Sequence, residues 1–212
     1  LEADSVRQFV EGKEIKPYLV SSSGKVVITP YRIDDGRAKL VLERNLKTEW
    51  PATYAYLREN KAVLEKREHG RFQGSDWFAY GRNQNIDLML LPKILVPDIA
   101  SRASFALDAA GQYAFTSGYG ITLGPSVSLS EKYVIGLLNS RTLDFYLRQV
   151  STVLRGGYFR YFSQFVQQLP IRTIDFANPV DVSRHDHMVT LVERMLALHE
   201  QVKQARTAFE RN

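Results

Sequence analysis

The spacing of apolar residues changes near Ser128, dividing the chain into a mainly β part and a helical part. From Lys25 to Leu42, "KVVITPYRIDDGRAKLVL" sets two β-branched-rich runs around an Asp-Asp-Gly turn, which predicts a hairpin. Pro30 lacks a backbone donor and keeps the first run short or at an edge. Residues 51–68, "PATYAYLRENKAVLEKRE", predict a helix. Pro51 suits its first turn, Tyr54, Leu57 and Leu64 share a face, and Lys66 and Arg67 lie near the end that favours cations. The second half of 76–99 is strand-like, with Pro92 and Pro97 limiting it to a short or edge segment. "SFALDAAGQYAFT" (104–116) predicts another hairpin, turning at Asp108–Gly111.

Helical spacing then takes over. "SLSEKYVIGLLNS" carries a capping box from Ser128 to Glu131 and continues as an apolar helix. Thr142 to Val150 brings Leu143, Tyr146, Leu147 and Val150 together on a second helix, and both are expected to cover the sheet. Residues 173–183 have linker character around Asn178-Pro179. Ser183 and Asp186 offer a further capping box, and no Gly or Pro follows up to Asn212. Met188, Leu191, Met195, Leu198, Val202, Ala205 and Phe209 recur at steps of three and four, a coiled-coil seam. Val189, Val192 and Leu196 widen its first half, which is expected to dock, while the second half, flanked by Lys203, Arg206, Glu210 and Arg211, is expected to project. The pattern therefore predicts an α+β (mixed α/β) fold, mainly antiparallel β with packed helices, plus a long C-terminal helix of coiled-coil character. The expected division is a domain over 1–172, a linker over 173–183 and a long amphipathic helix over 184–212.

Bulk composition narrows the function classes. With 212 residues, 44% hydrophobic and 24% charged, the chain resembles an ordinary globular protein. Its net charge of +5 and pI near 9.4 favour an acidic partner, of which nucleic acid is the commonest. The absence of cysteine excludes disulfides, thiolate zinc sites and cysteine nucleophiles, and fits a reducing cytoplasm. No apolar stretch approaches the roughly 20 residues of a membrane span and no signal-peptide pattern opens the chain, so a soluble protein is expected. The chain starts at Leu1 without methionine, as a piece of a longer polypeptide would.

Catalytic constellations are poor. The sequence holds no GxGxxG, P-loop or nucleophile elbow. An exocyclic-amine methyltransferase would carry a Pro-Pro-Tyr-type loop, yet Asn178-Pro179 continues with Val180. Pro97-Asp98 has the start of a metal-dependent nuclease site, but the Glu-x-Lys triplets Glu11–Lys13 and Glu14–Lys16 lie upstream in the wrong order; an ordinary strand-end Pro-Asp is simpler. His185 and His187 diverge by roughly 200° on a helix and lack a third ligand, which reads as solvated helix-start histidines.

Nucleic-acid features are better supplied. "YGRNQN" (80–85) places Arg82, Asn83 and Gln84 after Tyr80; Arg pairs bidentately with guanine, and Asn and Gln with adenine, although the same residues also suit an ordinary polar loop. "RGGYFRYFSQFVQQLPIR" (155–172) sets Gly156-Gly157 beside Arg155, Tyr158, Arg160 and Tyr161. The glycine backbone and the arginines, with Arg172, suit phosphate contact, Phe159, Phe162 and Phe165 are simplest as core, and Tyr158 and Tyr161 are left for the surface.

"GKEIKPY" (12–18), "YLRENKAVLEKR" (56–67), "WFAYGRNQN" (77–85), "PKILVPDI" (92–99), "YGITL" (119–123), "YVIGLLNSRTLDFYL" (133–147), "RGGYFRYFSQFVQQLPI" (155–171) and the terminal helix resemble, in this order, the TaqI-like C-terminal specificity domain. The resemblance implies a target-recognition domain of adenine-specific DNA methyltransferases and fused restriction-modification (phage-defence) enzymes, cytoplasmic and prokaryotic. Its implied partners are double-stranded DNA and a methyltransferase domain of the same polypeptide, which would flip an adenine and use S-adenosylmethionine. No cofactor and no catalytic residue is expected within these residues. Tyr80, Arg82, Asn83, Gln84, Arg155, Gly156, Gly157, Tyr158 and Arg160 match family motifs and, with Tyr161, are the expected DNA contacts, Arg82 and Arg155 sharing one positively charged groove. Two rival readings stand beside this: an assembly module that dimerises through its terminal helix, and a metal-dependent nuclease fragment using Asp98.

Overall fold

The computed structural model describes residues 1–21, 24–83 and 85–210, without the side chains of Lys203 and residues 206–210. Gln84 and Arg211, and the side chains of Lys203, Arg206, Phe209 and Glu210, lie outside the described residues. The chain begins with β1 (Val6–Glu11), β2 (Ile15–Lys16), β3 (Leu19–Val20), β4 (Val26–Ile28), β5 (Tyr31–Asp34) and β6 (Arg37–Leu40). Helices α1 (Glu43–Glu49), α2 (Pro51–Glu59), α3 (Lys61–Glu65) and the single turn α4 (Ile86–Met89) follow. Then come β7 (Lys93–Pro97), β8 (Ile99–Ala100), β9 (Ala106–Asp108), β10 (Tyr113–Thr116) and β11 (Gly118–Ile121). The last part holds α5 (Glu131–Leu138), α6 (Arg141–Val150), β12 (Val153–Leu154), β13 (Tyr158–Arg160), α7 (Ser163–Val166) and α8 (Pro179–Glu210). This is an α+β fold with antiparallel sheets and a long terminal helix.

Two compact units share these elements. The first comprises Leu1–Phe9, Gly24–Leu91 and Gln112–Ala114. Within it β5 and β6 form the expected hairpin, closed by Asp35 and Gly36, both at positive φ as a two-residue turn matching strand twist requires. The run before it does not join that hairpin. It stops at Ile28, ahead of Pro30, and pairs antiparallel with β1 in the register Val6↔Ile28. The core of this unit gathers Val41, Leu46, Trp50, Leu57, Trp77 and Phe78. Helix α1 was invisible to apolar periodicity because Leu46 is its single buried residue. The helix expected over 51–68 is interrupted at Asn60, whose ψ of 4° is not helical, and ends before Glu68 and His69, both left-handed. Its start is capped from afar: the Glu2 carboxylate accepts from the backbone N–H groups of Ala52 (2.8 Å) and Thr53 (3.0 Å) and from the Thr53 hydroxyl (2.7 Å).

The second unit comprises Val10–Ser23, Pro92–Gly111 and Phe115–Asn212. Its sheet runs β11-β7-β9, antiparallel, and every residue of the central β7 is buried. Of the expected short or edge segment, the strand is short, five residues, but it is central and not an edge. Pro92 precedes the strand and Pro97 is its last residue, so neither removes an interior ladder donor. The hairpin expected over 104–116 is corrected too: β9 pairs with β7, and β10 with β1. Lys93 opposes Asp108 in the β7–β9 register and forms a fully buried ion pair with it, a strong reason for β9 to stay on β7.

Helices α5 and α6 bury Val134, Ile135, Leu138, Leu143 and Leu147 in the same core. Ser130, rather than Ser128, caps α5, accepting from Lys132 N–H, and Ser140 caps α6. Helix α8 begins at Pro179, ahead of the expected Ser183, because the Asn178 side chain accepts from Val180 N–H at 2.9 Å. It lies close against α5: a Cβ on Gly136 would sit 2.8 Å from Met188 Sδ and 3.0 Å from Val192 Cγ2. His185, expected to be solvated, is instead buried between Tyr133 and Phe176, its Nε2 accepting from Ser130 N–H at 3.3 Å. That bond leaves the ring proton on Nδ1, facing Asp186.

Breaking the buried pair should be costly. Lys93→Met is expected to lower unfolding free energy by about 3–5 kcal/mol in urea titrations, and adding Asp108→Leu to restore most of that loss. The Thr53 hydroxyl, working against desolvation and with the Ala52 amide, pulls the Glu2 carboxyl down from 4.5 to about 2. A depressed folded-state value stabilises fully above the ordinary carboxyl range and is lost as pH falls through the depressed one. The melting-temperature advantage over Glu2→Gln should therefore be complete above pH 4.5 and shrink toward pH 2.

Candidate nucleic-acid interface

The Gly-Gly segment closes a hairpin. β12 and β13 pair through Val153↔Phe159 and Leu154↔Tyr158, leaving Arg155, Gly156 and Gly157 as its turn. Both glycines have positive φ, 87° and 77°. A Cβ on Gly157 would meet nothing within 4 Å, so backbone conformation, not crowding by this protein, demands glycine here. The turn is exposed, as is Tyr158 at 46%.

Beneath the turn the hairpin is tied down. β13 also pairs with β8 through Phe159↔Ala100 and Arg160↔Ile99. Tyr161, expected at the surface, is completely buried; its hydroxyl donates to Asp144 Oδ1 at 3.0 Å, and it is corrected from a DNA contact to an anchor. Burial, then the Asp144 charge, pushes its phenol well above the ordinary range. Asp144 also accepts from Ala103 N–H (2.7 Å) and Arg148 Nε (2.9 Å), and the Arg148 guanidinium lies 5.0 Å from the centre of the Phe159 ring. Arg160 is half-buried, stacked over Phe162 at 5.1 Å, with its Nε lacking a hydrogen-bond partner. Of the phenylalanines expected in the core, Phe159 packs on it while Phe162 and Phe165 are only half-buried.

Next to this hairpin the second unit opens a polar cleft of about 630 Å³. Tyr158 is one wall, and Lys13, Lys16, Asp98, Ser101 and Arg102 supply much of the rest. The Gly12–Lys16 segment reaches it because Gly12 has no side chain: a Cβ there would fall 2.3 Å from the Ser117 carbonyl oxygen. Lys13 pairs with Glu11 at 2.7 Å, while Lys16 and Arg102 are exposed. Asp98 follows β7, where its N–H donates to Ser117 O (3.0 Å) and its carbonyl accepts from Tyr161 N–H (2.8 Å). Burial pushes the Asp98 carboxyl up, and burial together with that carboxyl pushes the Tyr119 phenol up.

The other expected segment lies in the first unit. Trp77 and Phe78 are buried, and Tyr80 is held by its hydroxyl donating to Ile28 O (2.6 Å) and its N–H donating to the Tyr31 hydroxyl (2.8 Å). From this anchor the chain exposes Arg82 and Asn83 before Asn85, left-handed at φ 59°, starts α4. Arg82 and Asn83 thus belong to one unit, and Arg155, Gly156, Gly157, Tyr158 and Arg160 to the other.

Sequence reasoning missed Lys16, Ser101 and Arg102 as neighbours. The signal for Lys16 was the quoted "GKEIKPY" segment, but only the folded chain sets it beside Ser101 and Arg102. Among the described residues, no group of three or more His, Cys, Asp or Glu side chains is placed to hold a metal ion.

Comparison with known proteins adds the following. The TaqI-like C-terminal specificity domain family matches residues 7–171. The Type II restriction enzyme and methyltransferase RM.Eco57I of Escherichia coli is 22% identical over 96% of the chain and 23% of its own length. The Type II methyltransferase M.BstVI of Geobacillus stearothermophilus is 22% identical over 80% of the chain and 28% of its length. The Type II methyltransferase M.PaeR7I of Pseudomonas aeruginosa is 24% identical over 85% of the chain and 30% of its length. The chain thus spans less than a third of each of these relatives.

Proposed function

The chain belongs to the TaqI-like C-terminal specificity domain family, the specificity region of restriction-modification enzymes, and from that premise we propose that it recognises a DNA sequence without itself performing chemistry. The observation that carries the reading is the polar cleft beside the open Arg155-Gly156-Gly157 turn, with Lys16 and Arg102 on its lining. Cations and exposed backbone amides bind phosphate oxygens without regard to sequence; base-edge contacts choose the site. Tyr80 positions Arg82 and Asn83 as such readers, with Gln84 next to them in the sequence, while Arg155, Tyr158 and the half-buried Arg160 hold the strand near the turn.

In this proposal the methyl donor, S-adenosylmethionine, acts on an adenine in a methyltransferase domain of the same polypeptide. The described residues of the second unit do not fit that cofactor: its sheets are antiparallel, without the parallel switch point at which nucleotide-type ligands sit. A prokaryotic cytoplasm is the setting that the bacterial relatives support. No helix among the described residues is long and apolar enough to cross a membrane.

A second reading rests on a separate observation. Leu191 (42% exposed), Met195 (39%), Leu198 (55%) and Val202 (50%) form an uncovered apolar stripe along α8, which suits a coiled coil with a second copy of this chain. The two readings are compatible.

In mobility-shift titrations over a salt series, contact with about three to five phosphates should give a slope of log affinity on log salt of roughly −3 to −5. Arg82→Ala should cost about 1–3 kcal/mol at its preferred site and relax one base position, whereas Arg155→Ala should weaken binding to all sequences alike. Salt-insensitive or absent binding would remove the DNA reading. For the assembly reading, sedimentation should show a dimer that Leu198→Arg converts to monomer; a wild-type monomer at high concentration would discard it.

A further inference from the structure

Among the described residues lining the polar cleft there are three cations, Lys13, already paired with Glu11, Lys16 and Arg102, and a single carboxylate, that of Asp98. A cleft that only held phosphates would be weakened by that carboxylate, which repels them. Nor does its side chain serve the fold through a bond: it makes no hydrogen bond or ion pair with any described residue. Its backbone, in contrast, is fixed on both sides by Ser117 and Tyr161. The result is an unpaired acceptor on a rigid support inside a cationic surround.

An ionised carboxylate accepts hydrogen bonds and donates none. Phosphate oxygens and the keto oxygens of guanine and thymine are acceptors as well, so they repel it. In the major groove the groups that donate are the exocyclic amines, adenine N6 and cytosine N4. Resting on the DNA reading above, we propose that Asp98 is a base-reading residue, accepting a hydrogen bond from the exocyclic amine of an adenine or cytosine while Lys16 and Arg102 hold flanking phosphates. Burial raises its carboxyl, which fits a group whose lone pairs wait for a donor from outside the protein. The carboxylate also gives selectivity by repulsion: duplexes presenting a keto oxygen at that position are rejected, and non-specific binding is held down.

The test is selection of the 212-residue chain against a pool of randomised duplexes, followed by salt-series titration of the enriched and a scrambled duplex. Wild type should enrich a site with adenine or cytosine at one position. Asp98→Ala should lose about 5- to 150-fold discrimination there while binding the scrambled duplex severalfold more tightly. Asp98→Asn, nearly isosteric and able to donate, should admit guanine or thymine at the same position. Lys16→Ala and Arg102→Ala should weaken both duplexes alike and each make the salt slope shallower by about one. If Asp98→Ala and Asp98→Asn keep the wild-type site and discrimination, or weaken both duplexes equally, the assignment of Asp98 is overturned while the DNA reading stands. If wild type shows no salt-sensitive binding to any duplex, both fall together.

Discussion

Complete burial of β7 is the constraint from which the second unit's arrangement follows. A strand covered on both faces cannot leave a lysine at its first position uncompensated, and Lys93 finds Asp108 directly across the ladder. That pairing sets the register of β9, and β11 takes the opposite edge. At its other end the strand closes on Pro97, and the backbone of Asp98 bonds to Ser117, the next position of the β7–β11 register, and to Tyr161, the next position of the β8–β13 register. The floor of the cleft is thus an extension of the most deeply buried element in the unit.

In the proposed DNA reading the cleft and the Gly-Gly turn divide the work of contacting a polyanion. Gly157 leaves space that its own protein does not fill, a Cβ on Gly156 would meet only the Tyr158 ring, and Tyr161, Asp144 and Arg148 fix the hairpin's base. Rigid support below and open backbone above is the arrangement that lets backbone amides approach a phosphate without side-chain interference. The first unit offers a different device: Tyr80 clamps the root of a loop whose tip exposes Arg82 and Asn83.

Much of this was legible in the sequence where the signal was local. The Asp35-Gly36 hairpin, the apolar run of α5, the terminal helix and the special backbone at Gly156-Gly157 all followed from turn chemistry or periodicity. Errors arose where a distant partner overrode the local pattern. Asn178 started α8 ahead of Ser183, and Lys93 held β9 away from a hairpin with β10. His185 and Tyr161 looked like surface residues by type, yet Ser130 and Asp144 satisfy their polar atoms inside the core. For the site the limit was similar: arginines, asparagine and glycines stood out by kind, but Lys16, Arg102 and Asp98 became one constellation only after the chain had folded.

The absent side chain at Gly136 has a mechanical consequence. It seats Met188 and Val192 directly on α5, so the angular setting of α8 follows from its packing on that helix. The helix spans 32 residues, about 48 Å at 1.5 Å per residue, and each residue turns it by about 100°. Inserting or deleting one residue beyond Val192 would therefore swing the later residues of α8, Leu198 and Val202 among them, around the rod by more than a quarter revolution, making helix length an azimuthal dial.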